Sequence, residues 1–119
     1  MIDSILDELF SYSRGKRREN IDDLKLVYNL LGKPCESVKV IHIAGTNGKG
    51  STATFLENIL LEAGYNVGKF TSPHILKYNE RILYNRQMID DEEIVKNYYF
   101  LKQVIEKFKR ENVNFKDMY

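Results

Sequence analysis

The sequence calls for an α/β architecture, and three features carry that reading. A β-branched run, Val38-Lys39-Val40-Ile41-His42-Ile43-Ala44, leads straight into the glycine-rich turn Gly45-Thr46-Asn47-Gly48-Lys49-Gly50-Ser51. An apolar helical pattern opens at the hydroxyl pair Ser51 and Thr52 and runs to Gly64. A second short run, Asn66-Val67-Gly68-Lys69-Phe70, then reads as a strand. Strand, loop, helix and strand in that order make a βαβ unit, whose parallel strands need cover on both faces.

The remaining elements follow in chain order. Ile2, Ile5, Leu6 and Leu9 recur at helical spacing, so the first dozen residues form an amphipathic helix. The basic, glycine-containing stretch from Ser13 to Asn20 reads as a loop. Ile21, Leu24, Val27, Tyr28 and Leu31 predict a second helix, stopped by Gly32 and Pro34. After the predicted strand at 38–44, Phe55, Leu56, Ile59, Leu60 and Ala63 define one face of a third helix that ends at Gly64. Thr71-Ser72-Pro73-His74 begins an irregular stretch to Asn79. Arg81 to Tyr84 and Gln87 to Ile89 then flank Asn85-Arg86 as a small hairpin. Asp90 or Asp91 caps a long last helix with Ile94, Tyr98, Leu101, Ile105 and Phe108 on one stripe. Residues 112–119 show no periodicity. Two parallel strands, a hairpin and four helices do not complete a doubly wound sheet, so the chain reads as the front of a larger domain.

The turn at 45–51 has its own chemistry. Glycines let backbone N–H groups curl inward, and the helix N-terminus behind them adds positive partial charge. Lys49 is placed to neutralise the outer phosphates of a nucleotide, and a nearby hydroxyl is suited to hold magnesium. The general phosphate-loop pattern would put a glycine at 43 and a hydroxyl at 50, where Ile43 and Gly50 stand, so this is a compact variant. ATP or a close relative is the expected ligand. The second parallel strand would end beside this turn, which makes Ser72 a candidate magnesium ligand, although Ser72-Pro73 also reads as ordinary turn chemistry.

Composition narrows the partners. Eighteen basic against seventeen acidic residues leave no electrostatic case for nucleic acid or a membrane surface. One cysteine, Cys35, excludes an internal disulfide or a cysteine-rich metal site, and beside Pro34 it reads as an incidental thiol. The N-terminus lacks the basic character of a signal peptide, and no apolar run is long enough to span a bilayer; the expected location is the cytoplasm.

The segments HIAGTNGKGS and GYNVGKFTSPHILKYNERI, with NIDDLKLVYNLLGKP upstream, closely resemble folylpolyglutamate synthase and the bifunctional dihydrofolate synthase/folylpolyglutamate synthase, within the Mur ligase superfamily. The resemblance implies that residues 1–119 are the N-terminal portion of a P-loop, Mur-ligase-type ATP-binding domain with a parallel sheet flanked by helices. It implies that Gly45, Thr46, Asn47, Gly48, Lys49, Gly50 and Ser51 line the ATP phosphates, with Lys49 the catalytic cation. Ser72 becomes a ligand of Mg2+. A substrate loop including Ser72, Pro73, His74, Asn79, Glu80 and Arg81 would lie over the folate or dihydropteroate site, and the stretch around Arg18 to Asn20 would contact the pterin.

The implied chemistry is ATP-dependent amide formation: the γ-phosphate passes to a substrate carboxylate, and L-glutamate attacks the acyl phosphate. The resemblance also implies a glutamate and a histidine completing the metal site, an aromatic-glutamate segment at the pterin and a C-terminal domain, all downstream of Tyr119. His42 reads as a sheet residue and His74 as part of the loop, so neither stands in for the missing ligand. The isolated chain is expected to be inactive and its parent to be a monomer. Three other readings compete: a ligase acting on peptidoglycan precursors, a nucleic-acid module built on Arg14, Lys16, Arg17 and Arg18, and a short nucleotide-binding or structural protein derived from a truncated ligase.

Overall fold

The structure, a computed structural model, describes residues 1–13 and 22–111. The predicted basic loop, with its implied pterin contact at Arg18 to Asn20, and the segment 112–119 lie outside the described residues. The chain divides into two compact units, Met1–Lys39 with Glu92–Tyr119, and Val40–Asp91.

The first unit is helical. Helix α1 spans Ile2–Ser13 and α2 spans Asp22–Leu30. The long helix, here α4, spans Asp91–Glu111. Each buries one aliphatic side chain almost completely: Ile5, Val27 and Ile94, all at positions the periodicity had marked. Helix α2 stops as predicted. The Gly32 N–H donates to Asn29 O and the Lys33 N–H to Tyr28 O, the reciprocal pair that closes a helix C-terminus. Lys102 on α4 bonds Glu8 on α1 at 3.2 Å and lies 5.5 Å over the ring of Tyr98, one helical turn away. Burial pushes the Tyr98 phenol up, as does its hydrogen bond with Glu8, while the Glu8 and Tyr98 bonds hold the Lys102 ammonium above its ordinary value. Leu101, predicted for the apolar stripe of α4, is exposed, whereas Tyr98, Ile105 and Phe108 are half-buried.

The second unit holds α3 (Lys49–Glu62) and a three-stranded sheet in the order β1–β2–β3, with β1 at Gly68–Phe70, β2 at Ile82–Tyr84 and β3 at Gln87–Met88. Two expectations are corrected here. Residues 39–45 form neither strand nor helix, so no parallel pair is present among the described residues. The sheet is antiparallel throughout, with Lys69 opposite Leu83 and Leu83 opposite Met88. The physical reason is cover. A parallel strand is stable when both faces are buried, and here Val40 stays 74% exposed and Ile41 is also exposed. Strand β1 instead takes its partner from the chain returning after Arg81, whose carbonyl also accepts the Thr71 N–H at 2.9 Å.

The hairpin is as predicted. Asn85 and Arg86 both have positive φ (48° and 69°), the feature of a two-residue turn whose twist matches its strands. The Asn85 side chain adds a second job: its Oδ1 accepts the Val67 N–H at 2.8 Å and its Nδ2 donates to Asn66. One turn residue therefore fixes the entry to β1 as well.

Helix α3 begins two residues before the expected hydroxyl pair and ends against Gly64, where the Gly64 and Tyr65 N–H groups donate to Leu61 O and Leu60 O. Its predicted apolar face is not covered among the described residues. Phe55 is 68% exposed, Ile59 and Ala63 are exposed, and Leu56 and Leu60 are half-buried. The buried position on this helix is Glu57.

Candidate functional site

The turn leading into α3 builds the first part of the site. Gly48 caps the helix with φ 78° and ψ 5°, a left-handed conformation, and its carbonyl accepts the Thr52 N–H at 2.9 Å. Nothing lies within 4 Å of where a Cβ on Gly48 would stand, so the glycine is there for its backbone and not for space. The left-handed cap also explains the early helix start, because the chain is already turned when it reaches Lys49. No side chain caps this terminus, and its first turn carries no acid. The leading N–H groups of α3, with the exposed Lys49 and Ser51 on the same turn, form a surface with positive potential and no competing carboxylate. Gly45, Thr46, Asn47 and Gly50 are also exposed, so all seven predicted turn residues line one open stretch.

The loop after β1 builds the second part. The Ser72-Pro73 peptide is cis, and Ser72 and Pro73 are exposed. Glu80 organises the loop: its carboxylate accepts the N–H groups of Ile75 (3.0 Å), Leu76 (2.8 Å) and Lys77 (2.8 Å). Those three bonds, the one from Ile75 foremost, hold the Glu80 carboxyl below its ordinary range. The Arg81 Nε donates to His74 Nδ1 at 2.8 Å, and its guanidinium stands 5.3 Å from the Tyr78 ring, which meets His74 edge-on at 6.0 Å. Asn79 is buried; its Nδ2 donates to Ile89 O and Asp91 Oδ1, both at 2.8 Å. Ile75 and Leu76, bracketed by this frame, are almost fully exposed.

The predicted loop residues thus separate by position. His74, Glu80 and Arg81 form one cluster with Tyr78, Asn79 is locked inside the unit, and Ser72 stands in the open. The glycine turn and this loop belong to the same compact unit. Sequence reasoning missed Glu57 and Lys69, which meet at 2.9 Å, with Thr54 Oγ1 at 3.3 Å from the same ammonium. The signal available was an acid set between the apolar pairs Phe55-Leu56 and Ile59-Leu60.

No family model matches the chain. Among curated proteins it is 51% identical over 70 residues to a dihydrofolate synthase/folylpolyglutamate synthase of Bacillus subtilis, covering 59% of this chain and 16% of that protein. Among solved structures, the apo form of the L. casei folylpolyglutamate synthase superposes with a TM-score of 0.87 at 28% identity, covering 98% of this chain and 28% of that one. A folylpolyglutamate synthase complex with AMPPCP and folate gives the same TM-score, identity and coverage. The α/β, Mur-ligase-type fold expected from the sequence is therefore established for this stretch, and the chain spans less than a third of the proteins it matches.

Proposed function

We infer that this chain, which is related to the folylpolyglutamate and dihydrofolate synthases and matches their N-terminal part, is the phosphate-holding segment of an ATP-dependent ligase that adds L-glutamate to a folate-type acid. The observation that carries the reading is the open N-terminus of α3: a left-handed glycine cap, no competing acid, and Lys49 at the first helical position. Such a terminus binds the oxygens of a polyphosphate through backbone N–H groups and the lysine.

In the reaction, an oxygen of the substrate carboxylate attacks the γ-phosphorus of ATP and ADP leaves. The glutamate amine then attacks the acyl carbon, forming the amide and expelling phosphate. The chain's own residues bind and orient. Gly45 to Ser51 hold the phosphates, and Lys49 meets the charge that grows on them during transfer. The loop at 72–81, framed by Glu80, presents Ile75 and Leu76 to the flat ring system of the substrate and keeps water from the reactive intermediate.

Magnesium, when bound, neutralises phosphate charge. Among the described residues no set of three His, Cys, Asp or Glu side chains converges on a metal position. Mg2+ takes few protein oxygens beside phosphates and waters, so a single exposed hydroxyl such as Ser72 fits one corner of that site. The chain supplies part of a catalytic centre and by itself does not ligate. From the resemblance and the near-neutral charge we place the parent protein in the cytoplasm, as a monomer without nucleic-acid or membrane partners. Among the described residues no helix is long and apolar enough to cross a bilayer.

Calorimetric titration with ATP tests the reading. The chain binds ATP and Lys49→Ala abolishes binding with the fold retained; equal affinity in the variant refutes the assignment. Glutamate-dependent ADP release by the chain alone would refute its incompleteness.

A further inference from the structure

Helix α3 and strand β1 lead to the two parts of the proposed site, and one side-chain pair joins them. The helix starts at Lys49, and β1 ends at Phe70, two residues before Ser72. Glu57 lies about 12 Å along the helix axis from Lys49 and is only 4% exposed. Its Oε1 accepts from Lys69 Nζ at 2.9 Å, and the Lys69 side chain is 14% exposed. The other oxygen, Oε2, is buried with no hydrogen-bond partner among the described residues. Among the described residues, Lys69 is thus the single donor to a carboxylate withdrawn from water.

Such a pair is a poor way to obtain stability. Removing charges from water costs about as much as their attraction returns, and apolar residues of similar volume often serve as well or better. What an apolar contact lacks is direction. A 2.9 Å charge-assisted bond fixes the distance and angle between helix and strand, where greasy surfaces would slide. The outer side of β1 is not restrained by another strand among the described residues, since its only sheet partner is β2.

We propose that Glu57 and Lys69 are positioning residues, whose ion pair holds β1, and through it Ser72, in register with the phosphate turn at the head of α3. The proposal rests on the reading of Gly45 to Ser51 and Ser72 as a magnesium–ATP site. Its signature is a coupling between magnesium and ATP that depends on the pair, while the phosphate turn alone keeps its hold on ATP.

The test is titration of the full 119-residue chain with ATP, with and without millimolar magnesium. Magnesium strengthens ATP binding to the wild-type chain. In Lys69→Met that gain falls about tenfold or more, the scale on which losing a group that supports a metal ligand weakens metal binding, and metal-free ATP binding is almost unchanged. Lys69→Arg restores the gain. The apolar double variant Glu57→Leu/Lys69→Met folds, as its urea unfolding shows, and still lacks the gain; this variant and Lys69→Arg decide the matter if Lys69→Met alone fails to fold. Full magnesium coupling in the folded double variant overturns the proposal. Absence of ATP binding by the wild-type chain, or undiminished binding by Lys49→Ala, overturns the nucleotide reading and the proposal with it, and is told apart because metal-free binding is then the quantity that fails.

Discussion

Two glycines two residues apart in the glycine turn, Gly48 and Gly50, answer oppositely to the same substitution. Gly48 sits at φ 78°, where a side chain strains the backbone; Gly50 has no positive φ and lies in the first turn of α3. Neither has an atom within 4 Å of its would-be Cβ, so packing cancels and the backbone alone decides. At position 48 an alanine pays roughly 1–2 kcal/mol for the left-handed conformation. It recovers about 0.4–1 kcal/mol by stiffening the unfolded chain. The net loss is about 1 kcal/mol. At position 50 the helix gains up to about 1 kcal/mol from the same change. In urea, followed by circular dichroism at 222 nm, Gly48→Ala therefore lowers the unfolding midpoint by roughly 0.3–1 M and Gly50→Ala raises it by a comparable amount. ATP binding weakens in both, since each methyl group intrudes where phosphate oxygens approach. An unchanged midpoint for Gly48→Ala, or equal losses in the two variants, would refute the assignment of Gly48 as the strained cap.

Further outcomes follow from the loop, the hairpin and the helices. The Glu80 carboxyl has its pKa depressed, so its contribution is complete above the ordinary value of 4.5 and disappears only as pH falls through the lower folded value. The amide resonances of Ile75, Leu76 and Lys77 accordingly hold their positions at pH 5 and shift together in more acidic solution, and Glu80→Gln shifts them at neutral pH. Asn85→Gly keeps the hairpin but frees the Val67 N–H, so hydrogen exchange at Val67 accelerates while the β2–β3 amides are unaffected. Asn85→Ala additionally strains a positive φ and destabilises more in urea. Between Glu8 and Lys102, both substantially exposed, a double-mutant cycle gives a small coupling that fades in high salt.

Local chemistry was the legible part of this chain. The Asn85-Arg86 turn, the helix stops at Gly32 and Gly64, and the start of the last helix at Asp91 follow from residues that impose backbone shape on their own neighbourhood. What could not be read was pairing across the chain. Residues 38–44 carry every local mark of a strand, yet strand formation depends on a neighbour and on cover for Val40 and Ile41. Periodicity likewise marked Phe55 and Ile59 as a helix face but could not say that nothing described would cover it. At the candidate site the glycine turn was visible because its backbone geometry is written in glycines. The link between Glu57 and Lys69 was not, because two charged residues twelve positions apart look like ordinary surface until a fold buries them. The bonds of Glu80 to 75–77 and of Arg81 to His74 add a scaffolding role that the resemblance had not implied for these residues.

The loop held by Glu80 separates frame from content. Its course is set by one carboxylate and three main-chain N–H groups, none of which belongs to the side chains of Ile75 and Leu76. Those two positions are therefore open to exchange: any apolar residue placed there inherits the same backbone path, and if the loop covers a substrate as proposed, its selectivity can drift or be engineered without rebuilding the loop. Position 80 has no such freedom, because a change there alters the path for every occupant of 75 and 76 at once.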